Sequence, residues 1–592
     1  MDKAVDDFIH AGSLSEIKAK GMALVRGGPT PILVVHDGGR LFALDNRCPH
    51  LGFPLNQGSV EDGILTCHWH HARFDLSSGC TFDLWADDVP TAEVRIDGDE
   101  VWVSSRLQPA GGAGRWRQRL HDGMSHNISL VMGKAILAGL DAGASPRDIV
   151  AAAADYGVRN RDGFDVGMTI LTALGNIIDR LPEDEAFLAL FHGVRRVAAD
   201  CAGEEPYQSS GPLLDADLDG RTLKRWLRQW SDVRHRTAAE RTLETMISSS
   251  RPWGKIVDGV AAAATDRHYG DTGHSLDFVN KALEAAELVG HDRALAILPT
   301  AIDQMVRARG GEESDSWRHP VDLVALADAG WERVCGRLPD PAGAGTYEAH
   351  ADLAGRLLGD EPDEIVSALE QAAGEGARAA DLAQALAYAA ALRLARFGTA
   401  NEFSDWDTAH HVFTHANALH AILKRLDEAG DPYPDATAGV FAGAMALYLT
   451  RFLNIPPAGM PGEDGRPLDD LPKAADELLD RLLATFDRQA RVSEAARLTS
   501  RYLLLGHDPE KLIVVLARAL LREDAGFHAY QNLEAGVRQF DAWGPGDEGR
   551  HILVAVARFL AAHSPTERAA YQTADIALRL HRGGELHEEE GA

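Results

Sequence analysis

Cysteine and histidine fall into one pattern that limits how the first hundred residues can fold: Cys48-Pro49-His50, sixteen residues, then Cys67-His68-Trp69-His70. Written C-x-H and C-x-x-H, it hands one thiol and one imidazole to each of two short segments. A chain that uses all four together must fold those segments into two loops that face one another. Gly52, Pro54 and Gly58 suit a tight first loop, and Gly79 suits a turn after the second. Zinc knuckles draw on the same donor types, but they separate paired ligands by two to four residues, whereas one residue stands between Cys48 and His50. A binuclear iron–sulfur centre with two thiolates on one iron and two imidazoles on the other needs this delivery of one Cys and one His per loop.

Around the pattern the chain reads in β-type runs, PILVVHDGGRLFAL, GILTC and VWVSS, separated by Gly, Asp and Asn. RLQPAGGAGRW interrupts them, and a linker is expected over 107–124. From Ser125 to Leu580 the text changes to Ala- and Leu-rich segments at helical period, such as MTILTALGNIIDRL and KLIVVLARALLRED. The expected fold is therefore multidomain: an all-β domain over 1–106, a large all-α helical domain over 125–580, and an acidic tail over 581–592. Three helical segments, beginning SHNISL, GHSLDF and THANAL, each set a His near an expected helix start and a Gly about fifteen residues on. They place His126, His274 and His415 at matching positions; FHAYQNLEAG, with His528, is a poorer copy. Duplicated helical units would explain the likeness.

The stretch NRCPHLGFPLNQGSVEDGILTCHWHHARFDLSSG resembles the Rieske 2Fe-2S domain, above all its soluble ferredoxin-type members that serve oxygenases and nitrite reductases. The resemblance covers about residues 12–105. It implies that Cys48 and Cys67 hold one iron, and His50 and His70 the other. Respiratory members of that family brace the cluster with a disulfide and raise its potential with Ser and Tyr hydroxyls; Phe53, Trp69, Ala72 and Phe74 stand at those positions here. Fewer hydrogen bonds to sulfur lower the potential toward about −150 mV. An NAD(P)H-dependent reductase is then the expected electron donor. Such a centre moves single electrons and has no open coordination position, so substrate chemistry belongs elsewhere in the chain.

In the helical part, SDWDTAHHVFTHANALHAILKR puts His410, His411, His415 and His420 on one expected helix. His411 and His415 are four apart and share a face, a spacing that lets two imidazoles reach one metal. Together with His126 and His274 they are candidates for a second, non-haem iron that activates dioxygen, with His192 and His319 as second choices. Asp405, Asp407, Asp165 and Asp271 are candidate partners. A plainer reading stands beside this one, since among 25 His some cap, pack or fall four apart without purpose. The sequence offers no Glu-x-x-His pairs of a di-iron bundle, no Gly-rich phosphate cradle and no Gly-x-Ser-x-Gly elbow. GHSLDFVNKALEAAELVG and the segment around His415 resemble all-helical questin-oxidase-like proteins, which are associated with oxygen insertion into aromatic polyketides. No catalytic residue is assigned.

The 592 residues allow up to about four domain-sized units. With 59 Lys and Arg against 89 Asp and Glu the net charge is −30, which repels polyphosphate and argues against nucleic acid as a partner. No stretch approaches the eighteen or so uninterrupted apolar residues of a spanning helix, MDKAVDDFIH lacks the marks of a leader, and five scattered cysteines make no disulfide framework. A cytoplasmic chain without a membrane partner is expected. The expected function is a Rieske-type oxidoreductase that passes electrons to a site for an organic substrate and dioxygen in the helical domain, as a monooxygenase does. The alternatives are a non-enzymatic carrier with a helical docking scaffold, and a redox sensor.

Overall fold

The apolar run that opens the β-type region becomes a strand buried on both faces. The computed structural model describes residues 7–584 apart from 111, 113, 215–217, 341–346, 400, 433, 464 and 466. Among the described residues nine strands form: β1 (Phe8–Ser13), β2 (Met22–Val25), β3 (Ile32–Asp37), β4 (Arg40–Asp45), β5 (Ser59–Glu61), β6 (Ile64–Thr66), β7 (Arg73–Asp75), β8 (Val94–Asp97) and β9 (Glu100–Ser104). They make three antiparallel sheets, ordered β1-β9-β8, β2-β3-β4 and β5-β6-β7. Because side chains alternate along a strand, Leu33 and Val35 of β3 enter one core with Leu44, Leu65 and Phe74, while Ile32 and Val34 enter another with Val101 and Val103. The first of these cores also contains Cys48 and Cys67.

The chain divides into two compact units, residues 1–152 with 569–592, and residues 153–568. This differs from the expected boundaries. A helix, Arg115–Ser125, fills much of the stretch expected as a linker, burying Trp116, Leu120 and Met124 at spacings of four residues. The Pro and Gly ahead of it read as punctuation and hide its start. Two more helices, Ser129–Asp141 and Ala569–His581, belong to the same unit as the strands, and His581 pairs with Asp141 at 3.2 Å. Beyond residue 584 the expected acidic tail lies outside the described residues.

The described residues of the second unit hold helices and no strand. Ala379–Ala395 is buried around nearly its whole circumference, and its alanines leave room for close packing against neighbouring helices. Asp435–Leu453 is long and apolar enough to cross a membrane, but 72% of its apolar window is buried inside the protein, so core packing accounts for its composition. Three helices, His274–Val289, Phe403–Glu428 and Phe527–Trp543, are tied by buried polar contacts. Lys281, 1% exposed, reaches Glu284 at 2.8 Å and Glu534 at 2.7 Å; Arg425 donates to Asn280 at 2.9 Å; Gln539 donates to Asn417 at 2.9 Å. The expected His-to-Gly repeat survives only in part. His274 and His528 are the first and second residues of their helices, but His415 lies inside a 26-residue helix and His126 follows the end of one.

Candidate metal centres

The two Cys–His segments fold into loops built alike. In the first, the Cys48 amide donates to the Phe53 carbonyl at 2.8 Å and the Gly52 amide returns to the Cys48 carbonyl at 2.8 Å. In the second, the Cys67 amide donates to Ala72 at 2.9 Å and the His71 amide returns to Cys67 at 3.0 Å. Each loop closes through a left-handed residue four places after its cysteine, Gly52 at φ 87° and His71 at φ 63°. His71 therefore serves the turn of the second loop. Gly79 follows with φ 73° at a point where a Cβ would fall 1.9 Å from the Val89 carbonyl oxygen, so no larger residue fits.

Both thiols are unbridged and buried, Cys48 at 2% and Cys67 at 0% exposure. The hydrogen bond from Cys48, helped by the Trp69 and His70 amides, pulls the Cys67 thiol below its usual range against the effect of burial; that same bond, together with burial, pushes Cys48 up. The rings of His50 and His70 lie 4.8 Å apart, and Trp85 meets His50 at 4.7 Å. Burial, then Lys134 and His70, lowers His50 to about 4, so its imidazole is neutral at pH 7. His50 Nδ1 is buried with no hydrogen-bond partner. Two adjacent thiols, two adjacent imidazoles and an orphaned ring nitrogen fit a two-iron, two-sulfide cluster. Where respiratory centres carry a bridging disulfide, Phe53 and Trp69 pack with ring centroids 5.8 Å apart, and Ala72 and Phe74 are fully buried without a hydroxyl to offer. Sequence reasoning missed Lys134. Its ammonium donates to the Pro49 carbonyl and to the His50 carbonyl at 2.8 Å, and lies 3.3 Å from Asp87.

A second cluster lies in the helical unit. His274, His411 and His528 bring one ring nitrogen each within 4.8 Å of the others. His411 Nε2 is 3.0 Å from His528 Nε2, and the His274 and His528 rings stack 5.6 Å apart at 4°. Asp407 approaches His528 Nδ1 at 3.2 Å and His563 Nε2 at 3.5 Å. Burial would raise the Asp407 carboxyl, but these two imidazoles outweigh it and hold it below the usual carboxylate range. Burial also lowers His274 to about 4 and His411 to about 3. The helix carrying His274 starts from a turn in which Tyr269, Asp271 and Thr272 all take positive φ, 53°, 50° and 54°. Gly273, at φ 95°, completes it where a Cβ would meet His415 Cβ at 3.0 Å. That close approach seats the helix start against the His411 turn.

Of the four histidines expected at a second iron, His274 and His411 are in this group and His126 and His415 are not. His126 is exposed in the other unit, its Nδ1 on the Asp122 carbonyl at 2.9 Å. His415 is 3% exposed and meets the edge of Tyr269 at 5.0 Å. Sharing a helix face did not bring it to the cluster, because that face is divided between the cluster and the Gly273 contact. His192 is a satisfied core residue, held by the Leu521 carbonyl at 2.9 Å and the Tyr530 hydroxyl at 3.0 Å, and His319 is exposed. Asp165 caps its own helix and Asp271 accepts from Gln304 at 2.6 Å. Asp405 closes the capping box of the His411 helix. His528, the weakest of the four sequence copies, supplies the third ring.

Residues 7–91 match the Rieske 2Fe-2S domain family. The ferredoxin component of biphenyl 2,3-dioxygenase from Rhodococcus jostii (strain RHA1) is 40% identical over 78 residues, 13% of this chain and 72% of that protein. Apoptosis-inducing factor 3 of Homo sapiens is 36% identical over 78 residues, 13% of each chain, so the likeness spans only about an eighth of its length. The 4beta-methylsterol monooxygenase of Methylococcus capsulatus (strain ATCC 33009 / NCIMB 11132 / Bath) is 49% identical over 43 residues, 7% of this chain and 12% of that protein.

Proposed function

Since residues 7–91 make this chain a member of the Rieske 2Fe-2S family, with a 2Fe-2S cluster as its cofactor, we propose that it is an oxidoreductase whose first unit supplies electrons to oxygen chemistry in its helical unit. Cys48 and Cys67 hold one iron in this reading, and His50 and His70 hold the other. The single observation that carries it is the pair of matched loops, each ending one thiol and one imidazole at the same place. Bound there, the cluster supplies reversible one-electron transfer and no open site for substrate.

The chain's own residues prepare that role. Buried apolar side chains behind Cys48 and Cys67 exclude water from the thiolate side. On the other side His70 is exposed and its ring lies 4.4 Å from that of Trp69, tilted by 40°; Trp69 is itself 38% exposed, giving an imidazole edge that a redox partner can reach. Lys134 fixes the first loop through the consecutive carbonyls of Pro49 and His50. An NAD(P)H-dependent reductase loads the centre in this reading, and a small organic substrate is hydroxylated. Monooxygenation places one atom of dioxygen in the product and the other in water, consuming two electrons and two protons, so two successive single-electron deliveries complete a turnover.

The ferredoxin relative favours a second reading, a carrier that serves a separate oxygenase. Oxygen uptake separates the two. With a suitable reductase, NAD(P)H and candidate aromatic substrates, the full-length chain alone should consume oxygen in step with product, and Cys67→Ser should abolish it. Cluster reduction without oxygen uptake until a separate oxygenase is added would establish the carrier instead.

A further inference from the structure

The cluster in the helical unit has the makings of a metal site rather than of ordinary packing. Buried histidines normally satisfy their nitrogens with carbonyls, hydroxyls or carboxylates, as His192 does. Here three rings from three different helices turn toward each other instead, each of them only partly buried. His411 Nε2 and His528 Nε2 face each other at 3.0 Å. Two imidazoles bound to one metal hold their nitrogens at about this separation, since metal–nitrogen distances are about 2.1 Å. The other nitrogen of His528 lies 3.2 Å from the Asp407 carboxylate, the pair of groups from which carboxylate–histidine–metal triads are built.

Backbone and packing also serve the convergence. The His274 helix begins from a turn with three non-glycine residues in the left-handed region, a conformation that costs free energy and persists where the surroundings enforce it. Below the rings, the same three helices are locked by the buried Lys281, Glu284, Glu534 and Arg425 contacts, which keep their relative positions fixed. Beside them His410, fully buried, accepts from the Asn532 amide at 3.2 Å and leaves its Nε2 without a partner.

We propose that His274, His411 and His528 bind a single ferrous ion, with Asp407 as the positioning residue that orients His528. Imidazoles suit iron as they do zinc, copper and nickel, and three protein ligands leave positions open for a small molecule; the choice of iron follows from the oxygen chemistry proposed for this unit. The site gives a location to the oxygen chemistry of the helical unit and rests on that reading for its role, though not for its existence. It differs from the grouping expected from sequence in taking His528 in place of His126 and His415.

A metal count on the full-length chain tests it. Purified without oxygen and supplied with ferrous iron alone, the chain should carry about three irons, two of them in the cluster. Cys48→Ser with Cys67→Ser should leave about one, and added ferrous iron should raise the melting temperature of that cluster-free chain. His411→Asn with His528→Asn should bring the full count down to about two, with the spin-resonance spectrum of the reduced cluster unchanged. Two irons in the wild-type chain overturns the site, as does a third iron that survives loss of both imidazoles, or zinc in its place. If the double variant does not fold, the wild-type and cluster-free counts still decide. A chain with the third iron but no reductase-driven oxygen uptake would refute the proposed function and leave the site standing.

Discussion

Lys134 shows at the residue scale how this chain adds to the domain it shares with its relatives. It lies outside residues 7–91, on the helix Ser129–Asp141, yet its ammonium caps the loop that holds Cys48 and His50. A positive charge beside the centre favours the reduced state, which carries one more negative charge. Replacing it also removes one of the two cations beside Asp87, leaving Arg119 at 3.3 Å, an effect of the same sign. Lys134→Met is expected to lower the midpoint potential by on the order of 50 mV, equivalent to about 1 kcal/mol for one electron. A redox titration of the two proteins checks this; an unchanged or raised potential would assign Lys134 to packing alone.

Among the elements, the turn at 269–273 joins backbone strain to the histidine cluster. Gly273 at φ 95° sits where an added Cβ would come within 2.8 Å of the Tyr269 ring. Gly273→Ala should therefore cost about 1–3 kcal/mol, read as a lower denaturation midpoint, and should weaken iron retention in the helical unit. A variant as stable as the wild type would show that the turn relaxes freely. This turn also marks where sequence reading ended. Four ligands of two types at fixed spacing made the Cys–His loops legible, because a short loop specifies its own geometry. His274 and His411 were legible as metal-capable residues, but the third partner was not: which rings meet depends on how three helices cross, and no local period records that. The helix Arg115–Ser125 was hidden by the PAGGAG before it, and the return of Ala569–His581 to the first unit depends on contacts some four hundred residues away in the chain.

For the whole molecule, an acidic surplus leaves stability exposed to low pH through particular buried pairs. Asp381, 4% exposed at the start of the Ala379–Ala395 helix, would be raised by burial, yet hydrogen bonds from His350 and Arg378 hold it at about 2. Its folded pKa lies below the unfolded value of about 3.9. The stabilisation it contributes is thus present above pH 4 and is lost as pH falls toward 2, amounting to up to about 2 kcal/mol. Asp381→Asn should flatten that part of the acid-unfolding curve and lower stability at pH 7; a curve parallel to the wild type would contradict the assignment. The account as a whole turns on a mixed thiolate–imidazole cluster in the first unit, and electron–nuclear double resonance on the dithionite-reduced full-length chain tests that most directly. Coupling to two nitrogens, lost in stages with His50→Ala and His70→Ala, is the predicted result; a spectrum with no coupled nitrogen, or a chain that binds zinc there and no iron, would contradict it.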